Sequence, residues 1–245
     1  MEAVIVTHNS QAPLSAMLNS AATRAAFDRI LVVDTASTDA TCGVAERAGV
    51  EVLALRENRG FGFAANAGIA QTSGGVIAVL NPDIEIEHLG AIERLAAHFR
   101  DPAVGIVAPA LRLPDGQVQD SARSVPTPLN LLRRRVMHRR SGAVWTKAPA
   151  DAAWVVGAAM FIRRAAFERV GGFDDRYLIY FEDVDLCVRL RRAGFRVRVD
   201  PGVVLAHQHA AASRQSIMTW STRQHIRSAA LFYARFPRYL LTTRE

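Results

Sequence analysis

Ile30-Leu31-Val32-Val33-Asp34-Thr35-Ala36-Ser37-Thr38-Asp39 runs four apolar residues, three of them β-branched, straight into an acid, three hydroxyls and a second acid. A short apolar run that stops at such residues reads as a buried strand ending in a polar turn. A helix is expected next, over Asp39–Ala48. The same alternation extends to either side. Ala3–Thr7 reads as a strand, and Leu14, Met17, Leu18 and Ala21 fall at helical spacing. Val50–Leu55 and Val76–Leu80 read as strands, Phe61–Ala70 and Leu89–Phe99 as helices. Strands alternating with helices imply an α/β fold with a parallel sheet and right-handed crossovers. Ligands of such sheets lie beyond the carboxyl ends of the strands.

The later half is less regular. Val104–Ala108 and Leu111–Leu113 read as short strands, followed by a turn at Pro114-Asp115-Gly116. Periodicity is lost from Ser121 to Asp151, and a loop of that length is usually functional or disordered. Trp154–Ile162 reads as a buried strand, Glu182–Arg192 as a helix, Arg196–Val199 as a strand, and Gln215–Phe236 as a helix with a basic face. One domain is expected over 1–245, in parts over 1–113 and 114–209 with a basic helix over 210–245.

Half of the 245 residues are hydrophobic, which fits a packed globular chain. The longest apolar stretch, Ala152–Ile162, falls short of the roughly 18 residues that span a bilayer. The first residues, Met-Glu-Ala-Val-Ile-Val, do not read as a signal peptide. Cys42 and Cys187 both fall in helical stretches and read as buried thiols, in keeping with a reducing cytosol. The net charge of +7 is local: residues 121–150 and 209–245 together carry +12, and the rest of the chain −5. Those basic segments suit an anionic membrane surface or a phosphorylated acceptor, or form a solvated face.

Polar clusters follow the strands: Thr7-His8-Asn9-Ser10, Asp34 to Asp39, Asn81-Pro82-Asp83 and His207-Gln208-His209, with Glu182-Asp183-Val184-Asp185 opening a helix. Singly, each has a plain role as a helix cap or turn. Together on one rim they provide what transfer from a nucleoside-diphosphate sugar requires. A departing diphosphate needs a divalent cation, Mn²⁺ or Mg²⁺, which Asp83 and His207 can hold. An acceptor hydroxyl needs a base, for which Asp183 is the candidate. Asp34, at a strand end, can bond the nucleobase or ribose.

These segments, with Asn58-Arg59-Gly60-Phe61-Gly62-Phe63-Ala64-Ala65-Asn66-Ala67-Gly68 and Gly171-Gly172-Phe173-Asp174 leading into Tyr180-Phe181-Glu182-Asp183, resemble glycosyltransferase family 2 in content and order. The resemblance implies a GT-A fold with a Rossmann-like nucleotide half and an acceptor half, a mixed, mainly parallel sheet, and an inverting mechanism. It implies Asp34 on the nucleobase or ribose, Asp83 and His207 on the metal, and Asp183 as base. Thr7, His8, Asn9, Arg59, Asn66 and Asn81 are expected around the donor nucleotide. Arg123, Trp154, Gly157, Glu182 and Asp185 are expected around the acceptor. Asn81-Pro82-Asp83, Asp115-Gly116 with Ser121-Ala122-Arg123, and Gly157 to Arg164 are similar to bacterial rhamnosyltransferases. That likeness implies dTDP-rhamnose, or a UDP-sugar, as donor. It implies a glycan or polyprenyl-diphosphate-linked sugar as acceptor and cell-envelope polysaccharide as product; with the two reduced thiols and the basic segments, the enzyme is expected in the cytoplasm, peripheral to the inner face of the membrane. Asn81 stands where many members carry an acid, Thr35 where Asn is common and His8 where Tyr is common.

Two other classes compete. Gly60-Phe61-Gly62-Phe63-Ala64-Ala65 superficially matches the dinucleotide fingerprint of an NAD-dependent oxidoreductase, yet it follows the third strand, not the first. The arginines suggest a nucleic-acid or anion binder, but few aromatics interleave with them and an acidic rim repels a phosphate backbone, so no nucleic-acid partner is expected.

Overall fold

In the computed structural model, which describes residues 1–88, 90–131, 148–208 and 218–243, the first strand β1 (Glu2–Thr7) is buried along its whole length. Its side chains alternate between two layers. Ala3 and Ile5 join Leu14, Leu18 and Val32 on one side, while Val4 and Val6 join Val33, Ala64 and Ile69 on the other. Burial on both faces is why the strand reads as an unbroken apolar run.

The chain continues through α1 (Gln11–Asn19), α2 (Ala21–Ala26), β2 (Arg29–Thr35), α3 (Thr41–Arg47), β3 (Glu51–Leu55), α4 (Phe61–Ala70) and β4 (Val76–Leu80). The helix expected through Ala21 is two helices, because extended Ser20 ends the first and accepts from the Thr23 amide at 3.3 Å to cap the second. The third helix begins later than expected, because the Asp39 carboxylate accepts from the Thr41 amide at 3.0 Å and the Gln11 amide at 3.2 Å. Gly68 lets α4 lie against the sheet: a Cβ there would sit 2.5 Å from Val4 Cγ1.

Next come β5 (Ile84–Glu85), α5 (Gly90–Ala97) with a 3-10 turn at His98–Arg100, β6 (Val104–Arg112), β7 (Ala122–Arg123), β8 (Ala150–Asp151), β9 (Trp154–Val155) and β10 (Ala159–Arg163). After them come α6 (Arg164–Arg169), α7 (Glu182–Arg192), β11 (Arg196–His207), α8 (Met218–Arg235) and a final 3-10 turn at Pro237–Leu240. The main sheet runs β3-β2-β1-β4-β10-β6-β11-β5, with β8 also on β11. β3, β2, β1 and β4 are parallel, as are β6 and β11, while β10 is antiparallel to both of its neighbours. The sheet is thus mixed, and the parallel ladders hold most of its paired residues.

Three strands differ from expectation. The two short strands over 104–113 fuse into β6, because Pro109 lies opposite Asp200, where the β11 register slips before Val204. A missing N–H is tolerated at such an irregularity. β11 extends well beyond Val199 for the same reason: it passes Pro201 through that slip and resumes pairing up to His207. The apolar run Trp154–Ile162 breaks in two, since β9 pairs with β7 in a separate small sheet and β10 enters the main one. The aperiodic stretch after Ser121 includes β7 and β8; its residues 132–147 lie outside the described residues, as do Gln215–Ile217. Cys187 is buried as expected, whereas Cys42 is only half-buried in the first turn of α3. Among the described residues, no helix is long and apolar enough to cross a membrane.

Candidate active site

The carboxyl ends of β1 and β2 are joined by side chains that bond to the neighbouring loop. Thr7 Oγ1 donates to Asp34 Oδ1 at 3.1 Å, and Thr35 Oγ1 to the Thr7 carbonyl at 2.9 Å. Asn9, left-handed at φ 48°, donates its amide to Ser37 Oγ at 2.7 Å and accepts from the Thr38 amide at 2.8 Å. His8 Nδ1 donates to the Thr35 carbonyl at 2.9 Å.

β4 ends in Asn81-Pro82-Asp83, and the antiparallel pairing of Ile84 with His207 carries the tip of β11 to the same place. His207 Nε2 lies 3.3 Å from Asp83 Oδ1. The other ring nitrogen, Nδ1, lies 2.7 Å from Gln119 Oε1. With Gln119 accepting, Nδ1 carries the proton and Nε2 turns its lone pair toward the carboxylate. Two acceptors so placed repel unless a cation or proton joins them. Asp83 Oδ1 is also buried with no hydrogen-bond donor among the described residues. The 3.3 Å spacing is close to the edge, about 3.0 Å, of an octahedron with ligands near 2.1 Å. The pair therefore fits a divalent cation, with the Gln119 bond orienting the imidazole. No group of three or more His, Cys, Asp or Glu side chains forms a metal cluster among the described residues.

The second carboxylate site opens α7. Asp183 Oδ2 accepts from the Gly157 amide at 3.0 Å and Oδ1 from the Val184 amide at 2.8 Å. Gly157 lies in the break between β9 and β10, which is why the apolar run divides there. Glu182 is 8% exposed and its Oε2 has no hydrogen-bond partner among the described residues. Burial raises the pKa of Glu182, and the neighbouring Asp183 raises it further. Burial also raises that of Asp183, against the opposing hydrogen bonds from Gly157 and Val184. The preceding Tyr180 and Phe181 are both left-handed, at φ 68°. That conformation costs a bulky residue about 1–2 kcal/mol.

Two cavities meet at these groups. The larger, about 1080 Å³, is lined by Thr7, His8, Asn9, Asn58, Asn81 and Asp83 among others. The smaller, about 520 Å³, is lined by Arg123, Trp154, Gly157, Glu182, Asp183 and His225 among others. Phe61, Asn81, Ile179 and His207 line both. The Arg123 guanidinium lies 5.2 Å from the Trp154 ring centroid, and Trp154 Nε1 donates to the Ser124 carbonyl at 2.9 Å.

Four expected residues lie elsewhere. Asp34 is buried and accepts from Thr7 and from the Ser37 amide and hydroxyl, which closes the turn after β2. Asn66 bonds to the 173–175 segment at both ends of its amide: Nδ2 donates to the Phe173 carbonyl and Asp175, and Oδ1 accepts from the Phe173 amide. Arg59 is half-exposed, with its guanidinium 3.9 Å from the Phe63 ring centroid. Asp185 is fully buried among Arg189, Arg235 and Tyr177. Conversely, Gln119, Tyr180 and His225 line the smaller cavity without having been among the expected site residues. Gln119 reaches it because the turn at Pro114-Asp115-Gly116 folds residues 117–119 back along β6, where the Gln119 amide bonds to the Leu111 carbonyl at 2.7 Å.

The glycines of the apparent dinucleotide fingerprint serve packing. A Cβ on Gly60, at φ 100°, would lie 2.2 Å from the Leu178 carbonyl oxygen, and one on Gly62 would lie 2.9 Å from Phe173 Cβ.

The profile of Glycosyl transferase family 2 matches residues 2–171, and that of the N-terminal domain of galactosyltransferase matches residues 138–209. The N-acetylglucosaminyl-diphospho-decaprenol L-rhamnosyltransferase of Mycobacterium tuberculosis is 36% identical over 214 residues, which cover 76% of this chain and 68% of that protein. The rhamnosyltransferase WbbL of Escherichia coli is 38% identical over 82 residues, 34% of this chain and 31% of its own. A mannosyltransferase from Pyrobaculum calidifontis, solved with GDP-Man and Mn²⁺, superposes with a TM-score of 0.65 at 19% identity, over 94% of this chain and 63% of that one. The structural likeness shows the GT-A fold. The profile match and the mycobacterial identity show that the chain belongs to glycosyltransferase family 2.

Proposed function

We propose that the chain moves a sugar, with inversion, from a nucleoside diphosphate in the larger cavity to an acceptor hydroxyl in the smaller one. The specific reading is L-rhamnose from dTDP-rhamnose onto polyprenyl-diphosphate-linked GlcNAc. The observation that carries the reading is the meeting of the two cavities at His207 and Asn81, with Asp83 on one side and Asp183 on the other. The mycobacterial relative, named for a decaprenol-linked GlcNAc acceptor and L-rhamnose, supports this choice of substrates.

Thr7, His8, Asn9 and Asn81 line the donor side, in the part of the chain up to residue 113. Arg123, Trp154, Gly157 and Glu182 line the acceptor side, within 114–209. Asp83 and His207 would hold a divalent cation, Mn²⁺ or Mg²⁺, which supplies positive charge to the departing diphosphate. Asp183 accepts the hydroxyl proton as the acceptor oxygen bonds to the anomeric carbon, and the bond from that carbon to the diphosphate oxygen breaks on the opposite face. Gly157 holds one carboxylate oxygen of Asp183 through its amide and so fixes the direction of the other. Glu182, raised by burial, is neutral over a wider pH range than an ordinary carboxylate and can donate to the acceptor.

The exposed Arg223 and Arg227 of α8 support peripheral association with an anionic membrane that carries the acceptor, at its cytoplasmic face. Arg133-Arg134-Arg135 and Arg139-Arg140, part of the same expectation, lie outside the described residues.

A thermal-shift screen of dTDP-, UDP- and GDP-sugars with Mn²⁺ tests the donor. A ligand at 100 times its Kd stabilises the native state by about 2.7 kcal/mol, so dTDP-rhamnose should stand out. Equal shifts in EDTA would reject the role given to Asp83 and His207, and a shift only with NAD would reject the sugar donor.

A further inference from the structure

Both family-profile matches stop before α8: one ends at residue 171, the other at 209. Yet α8 packs directly on the turn that presents Glu182 and Asp183. Ser228, 2% exposed, donates its hydroxyl to the Ile179 carbonyl at 2.7 Å. The His225 ring packs 5.2 Å from Tyr180 and 5.4 Å from Phe181, centroid to centroid. Phe232 and Tyr233 pack on Phe181 at 5.3 and 6.1 Å. The helix is itself fastened to α7 and to the loop before it, since Arg235 Nη1 lies 3.2 Å from Asp185 Oδ2 and 2.7 Å from Asp174 Oδ2.

Tyr180 and Phe181 occupy a backbone region that large side chains leave unless their surroundings hold them. α8 supplies a hydroxyl on the carbonyl just before the two, and a ring against each side chain. Loss of that support would let the two residues relax to negative φ. The first turn of α7 would then rotate, and Asp183 Oδ2 would move off the Gly157 amide.

We propose that α8 is a positioning element of the active site. Ser228 and His225 hold Ile179–Phe181 in its left-handed turn, and thereby set Asp183 against Gly157. The inference rests on the reading of Asp183 as the base, but the holding of the turn can be tested apart from it.

The test compares Ser228→Ala, Ser228→Thr, His225→Ala and the exposed-face control Ile226→Ala in the full chain. Amide hydrogen exchange over 179–184 is read first. It should rise in Ser228→Ala and His225→Ala, return toward wild type in Ser228→Thr, which keeps the hydroxyl, and stay unchanged in Ile226→Ala. Transfer to a short-chain prenyl-diphosphate GlcNAc is read second. A misplacement of about 1 Å at a reacting group costs up to roughly 100-fold, so kcat should fall 10- to 100-fold in the two alanine variants. Binding of dTDP with Mn²⁺ should be unchanged. Wild-type exchange over 179–184 would overturn the proposal, as would faster exchange with unaltered kcat. A rise in exchange throughout the chain would mean that Ser228 supports the whole fold, and would overturn the local role. A higher acceptor KM with unchanged kcat in His225→Ala would make His225 an acceptor contact and not a positioning residue. Asp183→Asn active at wild-type rate would remove the base assignment but leave the exchange result standing.

Discussion

Replacing Asp183 by Asn separates chemistry from folding. The carboxylate accepts two backbone N–H groups, Gly157 at 3.0 Å and Val184 at 2.8 Å. An amide keeps one acceptor oxygen and turns an NH₂ toward the other N–H. One buried hydrogen bond is lost, at a cost of about 1–3 kcal/mol. The substitution also removes a buried charge and relieves the repulsion on Glu182, which offsets part of that cost. A loss within that range lowers Tm by no more than about 2–4 °C per kcal/mol for a chain of this size, so the fold and donor site persist. The rate does not: removal of a general base costs about 10²–10⁴, or roughly 2.7–5.5 kcal/mol in barrier. The assay is transfer to a prenyl-diphosphate GlcNAc at saturating donor, read by mass spectrometry, with dTDP binding measured in parallel by calorimetry. Donor affinity near wild type with kcat down at least about 100-fold is expected. A variant with normal donor binding and near-normal kcat would refute the assignment.

Other outcomes follow from the same geometry. Because burial raises the Asp183 pKa and the base must be ionised, the acid limb of kcat should lie above the ordinary aspartate value of about 3.9; a profile flat down to that pH counts against this role. Glu182 has a raised folded pKa, so its ionisation opposes folding as pH rises through and beyond the unfolded carboxylate range. Glu182→Gln should therefore raise Tm at neutral pH by an amount that fades near pH ~4, while acceptor KM increases; a pH-independent Tm difference would contradict the cause given. Gln119→Leu leaves the imidazole unoriented and should weaken Mn²⁺-dependent dTDP binding about 10- to 100-fold, and titration at the wild-type affinity would exclude that link. Gly60→Ala forces a Cβ to 2.2 Å from the Leu178 oxygen at φ 100°, and should destabilise the fold by several times the roughly 1 kcal/mol of an ordinary strained glycine site; an unchanged Tm would show that the Leu178 loop gives way.

The first half of the fold was legible because each element obeys one period. β1, β2 and β4 are apolar on both faces, and the polar residue that ends each run marks the rim. The chemical groups of that rim were legible for the same reason, and Asp83, His207 and Asp183 do line the two joined cavities. What escaped depends on contacts distant in sequence. Asn66 was expected at the donor because the family resemblance sets its glycine loop there, but it bonds to backbone more than a hundred residues away. Asp185 shares an acidic cluster with Asp183, and only the approach of Arg235 from α8 shows that it is structural. Gln119 and His225 carry no local signal, since a turn in one case and a helix in the other bring them to the cavity. The break at Val156-Gly157-Ala158 is silent too: nothing in an apolar run says that its two halves belong to different sheets.

The place of β10 has a consequence for how the chain assembles. It fits between β4 and β6, both of which precede it by many residues, and Arg163 at its end ties back to the carbonyls of Phe99, Asp101 and Val104. Until residues 159–163 leave the ribosome, the growing polypeptide carries two bare strand edges that face each other and have nothing to join them. Such edges are where neighbouring nascent chains add on. Long-range pairing of this kind also slows folding, so the interval of exposure is extended. Translation halted near residue 150 should therefore yield more aggregate than a halt that exposes residue 170, where β10 already joins β4 to β6 and the β6 edge that β11 later covers is still bare.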